Sequence, residues 1–573
     1  MLGKRGRGKP VLLALALVLY TLLGLLTVNA IGPVGEVALS WSLNTPPAVL
    51  RTFDGQLAAG PSLGPLKSSQ VRPLERIEIG PLSLPLAVNT YTGGPPDWPA
   101  RLAHAVAGQP GAVTIHLLMG ALLLVLIHRF LRFHGASGSG GLAALVLAAD
   151  WSFIFYRKVL GGTEILLMAA GLLLVWSTWS RRWGGGRHGS YAIAVAMGLG
   201  LLAKVTFLPT LLAWGLALLL TRNDKPNLKP PPALPWAWLV GIPVLLTSPL
   251  WVTWIHHGLA MPKAGHIQSH DFLSLQLERS FSGISSLLSG ERAPAREVPS
   301  SLLWFLGDPL AWLDQAYGGT HQSVPIWPRL IAGCVLIGGS CLEWLRPRED
   351  RSGALLRIFS LFVPLQLLLI WLANRDLHHL AQATPMLAIW FGLAGTRLLA
   401  MGVNPRNPLR GIAALILALP LIVPGALALR HTDAAVESGR IPHFQAKGQE
   451  ALAEMLRRNQ VQSLRASDYD LYGMLEIQVP EIRVLHGWGA VSQATDRNQA
   501  FADFLRLSTG HHLLLVRPSA PMRYNLSPTT SRLRKAQELC GCTLLLDESL
   551  SDSEGEWAWL YRVQPAGSTP LEE

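Results

Sequence analysis

Residues 191–220 read YAIAVAMGLGLLAKVTFLPTLLAWGLALLL. The run is too long for a single bilayer crossing, which takes about 20 apolar residues, and it is interrupted at Lys204 and Pro209. A lone Lys is costly at mid-bilayer, and Pro ends or kinks a helix. Two apolar helices meeting near Lys204 satisfy both constraints. A chain built this way is a polytopic α-helical membrane protein.

Outward from this stretch the same pattern repeats. The first apolar run, 11–30, follows Lys4, Arg5, Arg7 and Lys9. Its length matches a bilayer span and exceeds the core of a cleaved signal peptide, so it reads as an uncleaved first helix with the N-terminus cytoplasmic. Further spans are expected at about 112–131, 138–155, 164–179, 234–255, 324–342, 355–373, 380–399 and 412–429, giving eleven in all. Most basic clusters fall in short connections such as 181–187, 222–229, 346–351 and 397–410. Positive charge resists translocation, so those loops are expected inside. The intervening segments 32–110 and 256–323 are then outside, the second carrying an amphipathic stretch at 272–288 that reads as an interfacial helix.

Composition agrees. Half of the 573 residues are hydrophobic and 15% are charged, against about a quarter charged in soluble proteins. Disorder and a single soluble globule are both excluded. The net charge of +12 would point to nucleic acid in a soluble chain, but its placement in the inner loops explains it without a nucleic-acid partner. Many of the 20 Trp residues fall near expected span ends, where their rings anchor at the interface.

From about His431 the pattern changes. Helical spacing at 444–458 is followed by short β-like runs at 482–485, 512–516, 543–546 and 558–563. This reads as a small α/β extracytoplasmic domain over 431–573, after a tail and first helix (1–31), an outer loop (32–110) and a multi-helix domain (111–430). The C-terminal domain has no Gly-rich phosphate loop, nucleophile elbow or paired-cysteine metal site. Cys334 and Cys341 sit in an apolar run and read as packing residues. Cys540 and Cys542 are too few ligands for a metal site, and one intervening residue weighs against a disulfide.

Carboxylates are scarce in the membrane half, which singles out those on the outer side. Glu36 and Asp54 follow the first span, with Glu75, Glu78 and Asp97 farther along the same segment, and Glu164 opens the fourth span. Ionisable groups at the lip of a span are functional candidates. A carboxylate there can take a proton from an attacking nucleophile, although Glu164 also suits the first turn of a helix. Arg157, Lys158, Lys204 and Arg375 are the basic groups on the less favoured side, and together they read as a phosphate-binding set. His378 and His379 stand beside Arg375 and, like Asp97, read as possible acceptor or donor contacts. No metal cluster stands out. No cofactor is indicated, and a divalent metal is left open.

The order of these features resembles the GT-C superfamily of membrane glycosyltransferases, in particular its family 39 branch (protein mannosyltransferase and aminoarabinose transferase-like). LPLAVNTYTGGPPDWP at 84–99, running on to Gly108, resembles that family's loop re-entering the membrane before helix two. Arg157 followed by Glu164 resembles its short second outer loop, GLGLLAK at 198–204 its Gly-rich helix ending in Lys, and HHLAQATP at 378–385 its late basic-aromatic and Pro motif. The likeness covers about residues 10–400. The family's Asp-Glu pair after helix one is absent, leaving Glu36 or Asp54 in its place. Glu164 stands where Asp is common, and His378 where Arg is frequent.

The resemblance implies transfer of a sugar, with inversion, from a polyprenyl-phosphate donor to a glycan, lipid or protein acceptor at the outer face of the cytoplasmic membrane. In that reading Glu36 or Asp54 is the general base, and Arg157, Lys158 and Lys204, with Arg375, hold the donor phosphate. Glu164 positions the acceptor or the cations. Two other classes compete. A lipid-linked sugar transporter would show internal repeats and mid-span charges, and a non-catalytic assembly or sugar-lipid binding protein would need no outer base.

Overall fold

The computed structural model describes residues 11–27, 76–79, 82–89, 92–159, 161–183, 188–221, 236–252, 327–348, 350–374, 377–402, 409–437, 445–466, 469–479, 481–485, 497–516, 530–552 and 555–565. The membrane half is a helical bundle. In chain order its helices are α1 Val11–Leu26, α2 Trp98–Phe133, α3 Ser137–Ala148, α4 Trp151–Val159, α5 Gly162–Arg182, α6 His188–Ala203, α7 Leu208–Leu220, α8 Trp236–Leu246, α9 Trp327–Leu345, α10 Arg351–Asn374, α11 Thr384–Gly402 and α12 Leu409–Glu437. Among the described residues, five stretches are long and apolar enough to cross a membrane by length and composition: Pro95–Phe133, Gly162–Arg182, Arg351–Ile370, Leu380–Met401 and Gly411–Thr432. Six further apolar helices among them are 10–17 residues long.

One continuous core joins them, from Ala16 and Tyr20 of α1 through Phe153 and Trp179 to Phe359 and Phe362 of α10. Neighbouring pairs include α1 with α3, α3 with α2 and α11, α5 with α6, α7 with α10, and α9 with α11. The other side of these helices is apolar as well. Val18, Leu22, Leu212, Leu219, Ile412, Ile416 and Val423 all lie exposed. Leucine and isoleucine this numerous on the outside of an already packed bundle mark a lipid-facing surface. At the bundle end with the basic connections, buried Glu343 takes hydrogen bonds from the Arg348 N–H (2.6 Å) and Arg357 Nη1 (2.9 Å). Arg397 Nε lies 3.0 Å from its other oxygen.

Two helix boundaries differ from expectation. Helix two begins at Trp98, well before the expected 112, and kinks at Gly108, whose φ of 62° departs from helical geometry just ahead of Pro110. The expected third span 138–155 is two helices, because Asp150 stops α3 and starts α4. Its Oδ1 accepts from the Phe153 N–H (2.8 Å) and the Ser152 hydroxyl (2.5 Å), as an N-cap does.

Before α2 lie two short antiparallel pairs, β1 Arg76–Ile79 with β2 Leu82–Pro85, and β3 Ala87–Asn89 with β4 Thr92–Gly93. The C-terminal domain contains α13 Ala446–Arg458, β5 Ser463–Ala466, α14 Tyr469–Gln478, β6 Arg483–Leu485, α15 Arg497–Leu507, β7 His512–Val516, α16 Thr530–Cys540, β8 Cys542–Asp552 and β9 Gly555–Pro565. Its sheet has the order β6-β5-β7-β9-β8. β6, β5 and β7 run parallel, and β9 and β8 close the sheet as an antiparallel pair. α13 and α14 cover one face through Leu452, Leu456 and Met474. α15 and α16 cover the other through Phe501, Phe504 and Ala536. The expected strand runs at 512–516, 543–546 and 558–563 fall in β7, β8 and β9, and that at 482–485 begins one residue before β6, whereas β5 and α14 to α16 had no separate sequence reading.

Cys540 and Cys542 form a disulfide, against the sequence expectation, with their Cα atoms 5.4 Å apart. Gly541 between them takes φ of 63°, a left-handed turn that only glycine adopts freely, and this turn brings the flanking side chains to one side.

Candidate functional site

The site begins at the turn that precedes α2. Pro95, Pro96 and Asp97 form a 3-10 turn, with prolines where a helix start tolerates them. Asp97 is buried, and its carboxylate reaches the first residues of α5. Oδ1 accepts from the Gly162 N–H at 2.6 Å, and Oδ2 from the Thr163 hydroxyl at 3.2 Å. An unpaired backbone N–H at a helix start is a ready partner for a carboxylate. His116 Nε2, one helical stretch along α2, lies 3.7 Å from Oδ1. Arg101, also on α2, is fully buried nearby in sequence.

Glu164 follows in the first turn of α5. Lys204 stands just beyond the end of α6, its N–H still bonded to the Gly200 carbonyl. These two residues are forty positions apart, yet Lys204 Nζ donates to Glu164 Oε1 at 3.3 Å. Their side chains are 0% and 1% exposed. A buried charge is tolerated only when paired, and here each charge offsets the other.

Neutral polar groups also tie the helices of the bundle together. Gln366 Nε2 donates to Thr210 Oγ1 (3.0 Å), and Gln382 Nε2 to the Thr206 carbonyl (3.4 Å). The Ser152 and Thr384 hydroxyls meet at 3.0 Å, and Trp151 Nε1 donates to Thr432 Oγ1 at 2.8 Å. The last two contacts pin the start of α4 to α11 and α12. Ile477 of α14 packs against the cluster of Ala100 and Ala112 on α2, the helix that follows Asp97.

Of the residues singled out in the sequence, the structure brings together Asp97, Glu164 and Lys204. The Asp97 carboxylate is buried at the start of α5. Arg157 and Lys158 lie in α4, which leads directly into α5. His378 and His379 lie in a 3-10 turn, Leu377–Ala383, that leads into α11. Glu36, Asp54, Glu75, Arg375 and the stretch 272–288 lie outside the described residues. Among the described residues no group of three or more His, Cys, Asp or Glu side chains is arranged to hold a metal ion. His116 and Gln366 were missed although each is a polar residue inside an apolar run, which is itself a signal. Asp150 was missed although an Asp immediately ahead of an apolar helical run is an N-cap pattern.

No family model matches the chain, and no curated relative does. Among solved structures, one similar chain is the archaeal oligosaccharyltransferase AglB from Archaeoglobus fulgidus in complex with an inhibitory peptide and a dolichol-phosphate. It has a TM-score of 0.45 at 13% identity, with 88% of this chain and 69% of that chain covered. Others are the Archaeoglobus fulgidus oligosaccharyltransferase in its apo form (0.47, 12%, 88% and 69%) and in complex with Zn and sulfate (0.47, 12%, 96% and 72%).

Proposed function

We propose that the chain is a membrane glycosyltransferase of the GT-C, family 39-like kind. It transfers a sugar, with inversion, from a polyprenyl-phosphate donor to an acceptor at the outer face of the cytoplasmic membrane. The observation that carries this reading is the buried Glu164–Lys204 pair, set at one end of an apolar bundle beside the helix that bears Arg157 and Lys158. Phosphate recognition needs cations held in a low-dielectric place, where they act strongly and cost no reorganisation at reaction.

In this reading the membrane half crosses eleven times, with the N-terminus inside and the C-terminal domain outside. Lys204, Arg157, Lys158 and Arg375 hold the donor phosphate, and Glu164 orders Lys204. Glu36 or Asp54 takes the proton from the acceptor hydroxyl as its oxygen bonds to the anomeric carbon. The bond from that carbon to the phosphate oxygen breaks, and polyprenyl phosphate leaves with the electron pair, its charge balanced by the cations. His378 and His379, which follow Arg375 closely in sequence, contact donor or acceptor.

The test is sugar transfer by the purified chain in nanodiscs, using radiolabelled polyprenyl-phosphate sugars and a cell-envelope lipid and glycan extract as acceptor. Donor turnover that is lost in Lys204→Gln and in Glu36→Gln or Asp54→Asn supports the transferase. Donor binding without turnover of any donor moves the assignment to a sugar-lipid binding protein.

A further inference from the structure

The short segment from Gly93 to Asp97 packs on the chain just ahead of each partner of the ion pair, by backbone fit on both sides and by hydrogen bonds on one. A Cβ at Gly162 would meet the Pro96 carbonyl oxygen at 2.5 Å and Asp97 Oδ1 at 2.6 Å. A Cβ at Gly93 would run into the Leu202 carbonyl oxygen. Gly162 lies two residues before Glu164, and Leu202 lies two residues before Lys204. One five-residue segment is thus pressed on α5 just ahead of the acid and on α6 just ahead of the base. The Asp97 carboxylate adds two directional bonds to the α5 side.

We propose that Asp97 is a positioning residue. Through the Gly162 N–H and the Thr163 hydroxyl it fixes the start of α5 and thereby sets Glu164 against Lys204. Its carboxylate is spent on those contacts and on His116, so it does not act on substrate. A role for that site in lipid-phosphate binding rests on the function proposed above, whereas the positioning itself does not.

Two readouts on the full chain in nanodiscs test this. The first is acetylation of Lys204 by an amine-reactive ester, followed residue by residue by mass spectrometry below the unfolding temperature. Lys204 is shielded in the wild type, and Glu164→Gln serves as the control that frees it. Asp97→Ala raises the Lys204 rate by about tenfold, the scale of one lost hydrogen bond to a charged group. Asp97→Asn stays near wild type, because its amide oxygen still accepts from the Gly162 N–H and its amide group still reaches Thr163. Thr163→Val removes one contact and gives an intermediate rise, which keeps the test available if Asp97→Ala does not fold. The second readout is binding of a polyprenyl monophosphate, which Asp97→Ala weakens and Asp97→Asn preserves.

A Lys204 as shielded in Asp97→Ala as in the wild type overturns the proposal. So does an Asp97→Asn variant that behaves like Asp97→Ala, since that outcome makes the carboxylate charge, and not its geometry, the requirement. Wild-type protein that binds no polyprenyl phosphate while Lys204 labelling follows the expected order refutes the proposed function and leaves the positioning role standing.

Discussion

Lys204 Nζ and Glu164 Oε1 lie 3.3 Å apart with both side chains closed off from solvent, joining the end of one apolar helix to the start of another. Removing one partner of a buried pair strands the other charge, which costs about 3–5 kcal/mol. Glu164→Gln and Lys204→Gln are each expected to lower the unfolding midpoint sharply. The double variant Glu164→Gln/Lys204→Gln is expected to recover much of that loss, because no lone charge remains. Thermal unfolding of the four proteins in one detergent gives the coupling, and additive losses would remove the pair from the stability of this end.

Where the segment 93–97 meets the bundle there is no room for a methyl group, either on its own Gly93 or on Gly162 of α5. Gly93→Ala and Gly162→Ala each force a backbone or carboxylate to move, an overpacking cost of about 1–3 kcal/mol. Gly215 on α7 has nothing within 4 Å of a built Cβ, so Gly215→Ala is neutral or slightly stabilising. The three midpoints, compared side by side, separate close contact from helix propensity.

Thiol counting checks the disulfide. Alkylation of the denatured chain without reductant is expected to modify only Cys334 and Cys341, the two free cysteines, with Cys540 and Cys542 added after reduction. The closed loop is so short that the bond restrains the unfolded chain by only roughly 1.5 kcal/mol. Cys540→Ser/Cys542→Ser therefore lowers the stability of the C-terminal domain modestly and leaves it folded. Four alkylated cysteines without reductant would contradict the pairing.

Acid loosens the C-terminal domain. Burial lowers the His511 imidazole, helped by the neighbouring Arg465 and Arg483, below its usual 6.5. Burial lowers His512 too, more than the adjacent Asp547 carboxylate raises it. Both bind a proton less readily folded than unfolded, so the unfolded chain takes up more protons once pH falls below about 6.5. The stability these neutral imidazoles contribute is present above that pH and is lost on acidification toward the lowered folded values. Hydrogen exchange at residues 513–516 of β7, corrected for intrinsic rates, is expected to show less protection at pH 5 than at pH 7. His511→Asn/His512→Asn flattens the difference, and equal protection in the wild type would contradict it.

Much of the bundle is legible in sequence because a bilayer demands long apolar stretches; those at 355–373 and 412–429 each lie within a helix of the structure, and all but the first four residues of 380–399 lie in α11. Lys204 is legible in the same way, as a charge that no apolar helix can carry through its middle. Its partner is not legible, since Glu164 is forty residues away and several acids precede it. The role of Asp97 depends on a contact across sixty-five residues with a backbone N–H, which carries no sequence signal at all. Asp150 and Gly108 sit between these extremes. Their local patterns mark a helix start and a kink, but the apolar residues on both sides mask them. In the C-terminal domain the β7, β8 and β9 runs are apolar enough to read, whereas β5 is only four residues with Arg465 inside it.

The most direct measurement is a cryo-electron microscopy structure of the full chain in nanodiscs with a polyprenyl monophosphate. The phosphate is expected against Lys204 and the end of α4 that carries Arg157 and Lys158. A phosphate seated instead at the opposite end of the bundle, by Arg357 and Arg397, or no bound phosphate at saturating lipid, would contradict the assignment of the site.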